Sequence, residues 1–136
     1  MQEVIIRAYS LKRDGDTKLT ANFQVREFAC RDGSDTIFIA EKLPWACQYI
    51  RSRTGKPFKP NSAYRNDAYN ARDDVGGEEF SRHLYGMAAD IPIIPGYTPH
   101  EMAQIFREFA PNFGGCGIYS WGIHIDVDPE KRDWVG

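Results

Sequence analysis

Gly114-Gly115-Cys116-Gly117-Ile118-Tyr119-Ser120-Trp121-Gly122-Ile123-His124-Ile125-Asp126-Val127-Asp128-Pro129 is the stretch on which the reading of this chain turns. A glycine-rich turn is followed by two short runs rich in β-branched residues, Ile118 to Ser120 and Ile123 to Val127, and Asp128-Pro129 closes the second. The pattern predicts two short strands. Successive side chains of a strand point to opposite faces, so His124 and Asp126, two apart, share one face.

Working upstream, Thr98-Pro99-His100-Glu101 is a helix start: a Thr cap, Pro in the first helical position, and Glu three residues after the cap. The helix runs to about Phe109 and buries Met102, Ile105, Phe106 and Phe109. Met87 to Ile91 reads as a small-residue strand, ended by Pro92 to Pro95. Asn66 to Arg72 predicts a short helix, and Gly76-Gly77-Glu78-Glu79 a loop. From Ala40 to about Arg53, Leu43, Ala46, Cys47 and Ile50 recur at helical spacing, with Gly55 as the stop and Pro44 acceptable only near the first turn. Nearer the start, Val4 to Leu11 reads as a weak strand before a turn at Asp14-Gly15-Asp16, and Phe23, Val25 and Phe28 anchor an extended segment.

These short elements, without repeats, fit one mixed helix-and-strand domain spanning residues 1–136, a length that closes one core. The 19 acidic and 17 basic side chains nearly balance and are scattered, so no basic stripe points to nucleic acid. No stretch approaches the roughly 20 apolar residues of a membrane span. Met1 to Ser10 lacks the basic start and long apolar run of a secretion signal, so synthesis in the cytoplasm is expected, with delivery to any wall substrate left to another agent. The three cysteines, Cys30, Cys47 and Cys116, are far apart and form no CxxC pair, which predicts buried reduced thiols.

Histidine is scarce, and that narrows the search for chemistry. Of three histidines, His100 falls in a helix start, which leaves His83 and His124. Gly86 between His83 and Asp90 lets the backbone bend so that the two side chains converge, and small Ala88 and Ala89 permit close packing. A catalytic zinc site takes three protein ligands of this kind and keeps a fourth position for water. Taken singly, each histidine also reads as a polar surface or satisfied core group, and Asp90 as a strand-end residue bonding a turn. No GxSxG nucleophile elbow is present, and no cysteine has a nucleophile's setting.

Ser62-Ala63-Tyr64-Arg65, Tyr69-Asn70, Gly76-Gly77, Ser81-x-His83-x-x-Gly86-x-Ala88-x-Asp90-Ile91 and Ile123-His124-Ile125-Asp126-Val127, with Asn22 to Gly33 upstream, closely resemble the D-alanyl-D-alanine carboxypeptidase family of zinc peptidases. That family includes phage and bacterial peptidoglycan hydrolases and shares a superfamily with the Hedgehog signalling domain. The resemblance implies an α+β fold, a small antiparallel sheet flanked by helices, and Zn2+ held by His83, Asp90 and His124. It also implies a monomeric peptidase acting on peptidoglycan stem peptides at the bacterial cell wall, as a phage or prophage lysis protein does.

The arginine of the SxYR segment carries over onto Arg65, which is suited to hold a substrate carboxylate or polarise a carbonyl, and equally to a structural ion pair. Ser81 and Tyr64 are further candidates for substrate contact, Tyr64 and Tyr119 reading also as core or rim residues. Many family members carry a glutamate base three residues before the last histidine, where this chain has Trp121. Asp126 is the first candidate to replace it, with a supporting role behind His124 as the alternative; Glu78 and Glu79 are second choices. A zinc-containing module that binds peptidoglycan without cutting it is the rival reading.

Overall fold

Buried apolar residues alternating with Asp90, His124 and Gly117 along three strands build the centre of the molecule. In the computed structural model, which describes residues 3–72 and 81–136, these strands are β3 (Ala88–Pro92), β4 (Gly115–Tyr119) and β5 (Gly122–Asp126). With β6 (Arg132–Val135) they form a four-stranded sheet in the order β3-β5-β4-β6, antiparallel except for the parallel pairing of β4 with β6. The register sets Ala89 and Ile91 opposite Ile125 and Ile123, which in turn face Cys116 and Ile118 of β4. Residues directly opposite share a face, so this row is the apolar side of the sheet.

Helix α4 (Pro99–Phe109) covers that side with Met102, Ile105 and Phe106, all in one core cluster with the strand residues. Each such side chain contributes about 1.5–3 kcal/mol on burial. The same register places Asp90, His124 and Gly117 in a row on the opposite face. Burying the isoleucines therefore delivers the chemical residues to the other surface, because a strand has a period of two.

The capping box at the start of α4 forms as expected: Thr98 Oγ1 accepts from the Glu101 N–H at 3.1 Å and Glu101 Oε1 accepts from the Thr98 N–H at 2.9 Å. Thr98→Ala is expected to lower stability by about 1 kcal/mol, measured as a shifted urea midpoint at constant slope.

Helix α2 (Lys42–Thr54) packs beside α4 and buries Leu43, Ala46, Cys47 and Ile50. Pro44 occupies its third position, where an N–H would have no intrahelical partner. Gly55 ends it at φ 69°. A second sheet pairs β1 (Ile6–Ser10) with β2 (Thr36–Ala40), an element not foreseen from the sequence.

The structure departs from the sequence expectations at five further places. Phe23 to Phe28 is not extended throughout: Val25–Phe28 is a 3-10 turn, which brings Val25 and Phe28, three apart, to the same buried side. The first strand stops at Ser10 because that residue caps a one-turn helix, α1 (Leu11–Asp14). The predicted helix at 66–72 is the single turn α3 (Asp67–Asn70), capped by Asn66, and Phe109 is only half-buried. Gly115 and Gly117, expected in a turn, lie inside β4. The predicted loop at Gly76-Gly77-Glu78-Glu79 lies outside the described residues. Among those residues, no helix is long and apolar enough to cross a membrane.

Candidate metal centre

Asp90 and His124 are cross-strand partners on β3 and β5, so the sheet itself sets them side by side. His124 Nδ1 lies 3.2 Å from Asp90 Oδ1. His83 arrives from a 3-10 turn, Arg82–Tyr85, that Ser81 caps and Gly86 terminates at φ 71°. Gly86 is required there for a second reason: an added Cβ would stand 2.1 Å from the Phe38 carbonyl oxygen.

His83 is 3% exposed, and its Nδ1 is 2.7 Å from the Ala63 carbonyl oxygen. A carbonyl only accepts, so Nδ1 carries a proton, and Nε2 is the nitrogen turned to the group, 3.3 Å from Asp90 Oδ1. The two imidazole centroids are 5.2 Å apart at 74°. One ligand atom from each of His83, Asp90 and His124 falls within 4.8 Å of the others. Two imidazoles and one carboxylate, each with its far side anchored, are a donor set that fits a divalent transition metal.

Behind His124 stands Asp126. It is 0% exposed. Its Oδ2 meets His124 Nε2 at 2.9 Å, while Oδ1 accepts from the Gly115 and Asp128 N–H groups at 2.8 and 3.2 Å. Arg132 Nη2 reaches both oxygens at 2.6 Å. With every side taken, the carboxylate has no face open to water, which argues against the general-base role expected for it and for a role in orienting His124.

Burial pushes the Asp126 carboxyl up, but the hydrogen bonds and charges of His124 and Arg132 prevail and hold it well below the usual carboxylate range. Asp90 behaves alike: burial opposes, and His124 and His83 more than reverse it. For His124, burial works against the charged form, and its bonds to Asp126 and Asp90 outweigh that and raise its pKa.

Two glycines make this outer layer possible. At Gly115 a Cβ would stand 2.3 Å from Asp126 Oδ2, and at Gly117 it would stand 2.4 Å from Trp134 Cε2. The Trp134 ring lies across β4, its centroid 5.3 Å from that of His124, and its Nε1–H donates to Tyr119 Oη at 2.7 Å. Gly117→Ala is expected to displace this indole, giving a red-shifted tryptophan emission and a loss of about 1–3 kcal/mol in denaturant unfolding. Unchanged emission would contradict the arrangement.

Arg65 joins the centre from the segment that borders β3, where Ser62 bridges to Asp90. Its Nη2 donates to Asp90 Oδ2 at 3.2 Å, its Nε to Ser62 Oγ at 2.9 Å and its Nη1 to Asn70 Oδ1 at 3.3 Å. Ser81 Oγ accepts from the His83 N–H at 3.2 Å and so braces the ligand turn. Tyr64 is in the core cluster, edge-on to Phe38, with little surface left for a substrate.

Trp121 occupies the β4–β5 turn, 41% exposed and stacked on Tyr119. Glu78 and Glu79 lie outside the described residues. All three cysteines are free and buried; burial pushes the Cys116 thiol up to about 12, far from a thiolate nucleophile. Arg132 and Trp134 were missed from the sequence, since Lys131-Arg132-Asp133-Trp134-Val135 has no apolar run to announce a strand.

An α+β fold whose sheet presents Asp90 and His124 on the face away from its core, with His83 brought to them by the Arg82–Tyr85 turn, has the build of a metalloprotein. A family model described as Peptidase M15 matches residues 20–128, and the chain belongs to that family. Its members are zinc-dependent peptidases, which makes this chain a metallopeptidase by family. No curated protein matches the chain.

Proposed function

We propose that this chain is a zinc-dependent peptidase that hydrolyses peptide bonds in the stem peptides of bacterial peptidoglycan, with His83, Asp90 and His124 as the zinc ligands. The observation that carries this reading is the convergence of those three donors, each with its remaining polar atoms anchored by the protein. Zinc held by these residues would supply Lewis-acid polarisation of a carbonyl and would lower the pKa of a coordinated water.

The protein's own residues do the positioning. The Ala63 carbonyl fixes the His83 tautomer, and Asp126 fixes that of His124. Arg65 pins the outer oxygen of Asp90, so that Oδ1 is the oxygen turned to the histidines. Remaining guanidinium donors are suited to a substrate carboxylate or developing oxyanion, the role proposed for Arg65. Ser81 is proposed to act through the ligand turn it caps.

The test is mass spectrometry of muropeptides released from purified peptidoglycan by the zinc-loaded protein, with His124→Ala as control. New fragments from the wild type alone are expected, and they identify the bond cut. Absence of fragments across several wall chemotypes, with zinc bound, would replace this reading with a non-cleaving peptidoglycan-binding module. Trp121 at the position of the family glutamate and the closed surroundings of Asp126 are the observations that favour that second reading.

A further inference from the structure

We propose that Arg132, carried on β6, is a positioning residue of the metal centre: acting through Asp126, it holds His124 with Nδ1 turned toward Asp90 and His83. The inference rests on the zinc-site reading above. Arg132 touches none of the three ligands through a hydrogen bond; its contact is Asp126, whose two oxygens it meets with one nitrogen, Nη2. Asp126 then engages His124 Nε2. Since that carboxylate only accepts, Nε2 keeps its proton, and Nδ1, the nitrogen facing the ligand group, is the one that gives up its proton to bind a metal.

The placement is costly in a way that a purely structural ion pair has no reason to be. Arg132 Nε is buried without a hydrogen-bond partner among the described residues, and buried polar groups are otherwise almost always satisfied. The guanidinium is aimed at Asp126 at the expense of its own Nε–H. Parallel pairing of β6 with β4 sets Arg132 beside Gly115, where a side chain would stand 2.5 Å from Nη2. The same strand carries Trp134, whose ring lies 5.5 Å from the Arg132 guanidinium carbon and covers His124. Residue 132 lies outside the stretch, 20–128, that the family match covers.

The test compares zinc affinity, by competition with a chromophoric chelator, in wild type, Arg132→Met, Asp126→Asn and the double variant, with thermal unfolding of each metal-free protein. Asp126→Asn is expected to weaken zinc binding by about 10–100-fold, the range for loss of a partner behind a metal-bound histidine, and Arg132→Met, one step further out, by about 10-fold. The double variant is expected to bind within about twofold of Asp126→Asn alone, because Arg132 acts through Asp126. Arg132→Lys, whose single ammonium can face both oxygens as Nη2 does, is expected to restore most of the affinity.

Folded Arg132→Met that binds zinc as the wild type does, or losses that add in the double variant, would overturn the proposal. If the Met variant does not fold, Arg132→Gln takes its place in the same comparison, and wild-type affinity or additive losses there overturn the proposal equally. Wild-type protein that binds no zinc would instead remove the zinc-site reading itself, so the two failures are told apart.

Discussion

His124→Ala is expected to leave a folded protein that neither retains zinc nor releases peptides from peptidoglycan. His124 projects from the face of β5 away from the core, so its loss opens no cavity among Ile123, Ile125 and the α4 side chains. Asp126, deprived of Nε2, keeps Arg132 and the Gly115 and Asp128 amides. The stability loss is therefore expected near about 1–2 kcal/mol, the scale of one hydrogen bond to a charged group.

The metal suffers far more. Removing a ligand takes away the bond itself, and the effect must exceed the about 10–100-fold that follows from disturbing only the group behind a ligand. His83→Ala is a less clean test: that ring is buried and its loss strands the Ala63 carbonyl oxygen. Chelator competition and denaturant unfolding, run together on His124→Ala, decide the matter. Zinc held at wild-type affinity by this variant would exclude His124 as a ligand.

The second large effect is expected at Arg65. Arg65→Met should lower kcat by about 10²–10³-fold, the scale associated with removing one donor from a developing oxyanion. Arg65→Lys should not restore it, because one ammonium cannot serve Ser62, Asn70 and Asp90 together and still reach a substrate. Loss of the Asp90 partner also weakens zinc, so kcat is to be read at saturating metal. Breaking a buried ion pair destabilises by about 3–5 kcal/mol in unfavourable cases, which unfolding in the presence of zinc will measure. Turnover within about threefold of wild type would reduce Arg65 to a structural partner of Asp90.

Local chemistry in the sequence was enough to place much of the fold. The cap at Thr98, the stop at Gly55 and the first-turn position of Pro44 depend on residues a few places apart, and each forms as read. The set His83, Asp90 and His124 was implied by the family resemblance; the residues themselves showed only the Gly86 bend between His83 and Asp90 and the common face of His124 and Asp126. β2 and β6 are held by pairing with distant residues, and β6 in particular carries no apolar alternation of its own.

Arg132 and Trp134 escaped notice for that reason. The role expected of Asp126 was set by its spacing from His124, which is right about the face and silent about what else occupies it. Gly115 and Gly117 looked like turn residues because their actual cause, the space taken by Asp126 and Trp134, belongs to partners elsewhere in the chain.

The two-faced sheet also decides which changes this lineage can absorb. Side-chain parity along β5 is shared between the core and the candidate metal centre: inserting or deleting one residue there would turn His124 inward and an isoleucine outward in the same step. A one-residue change of length is therefore expected to be tolerated in the connections and to be destructive within these strands. A designer wishing to retune specificity should graft new loops around an untouched β3-β5-β4 frame, since any drift in its phase would erase the core and the centre together.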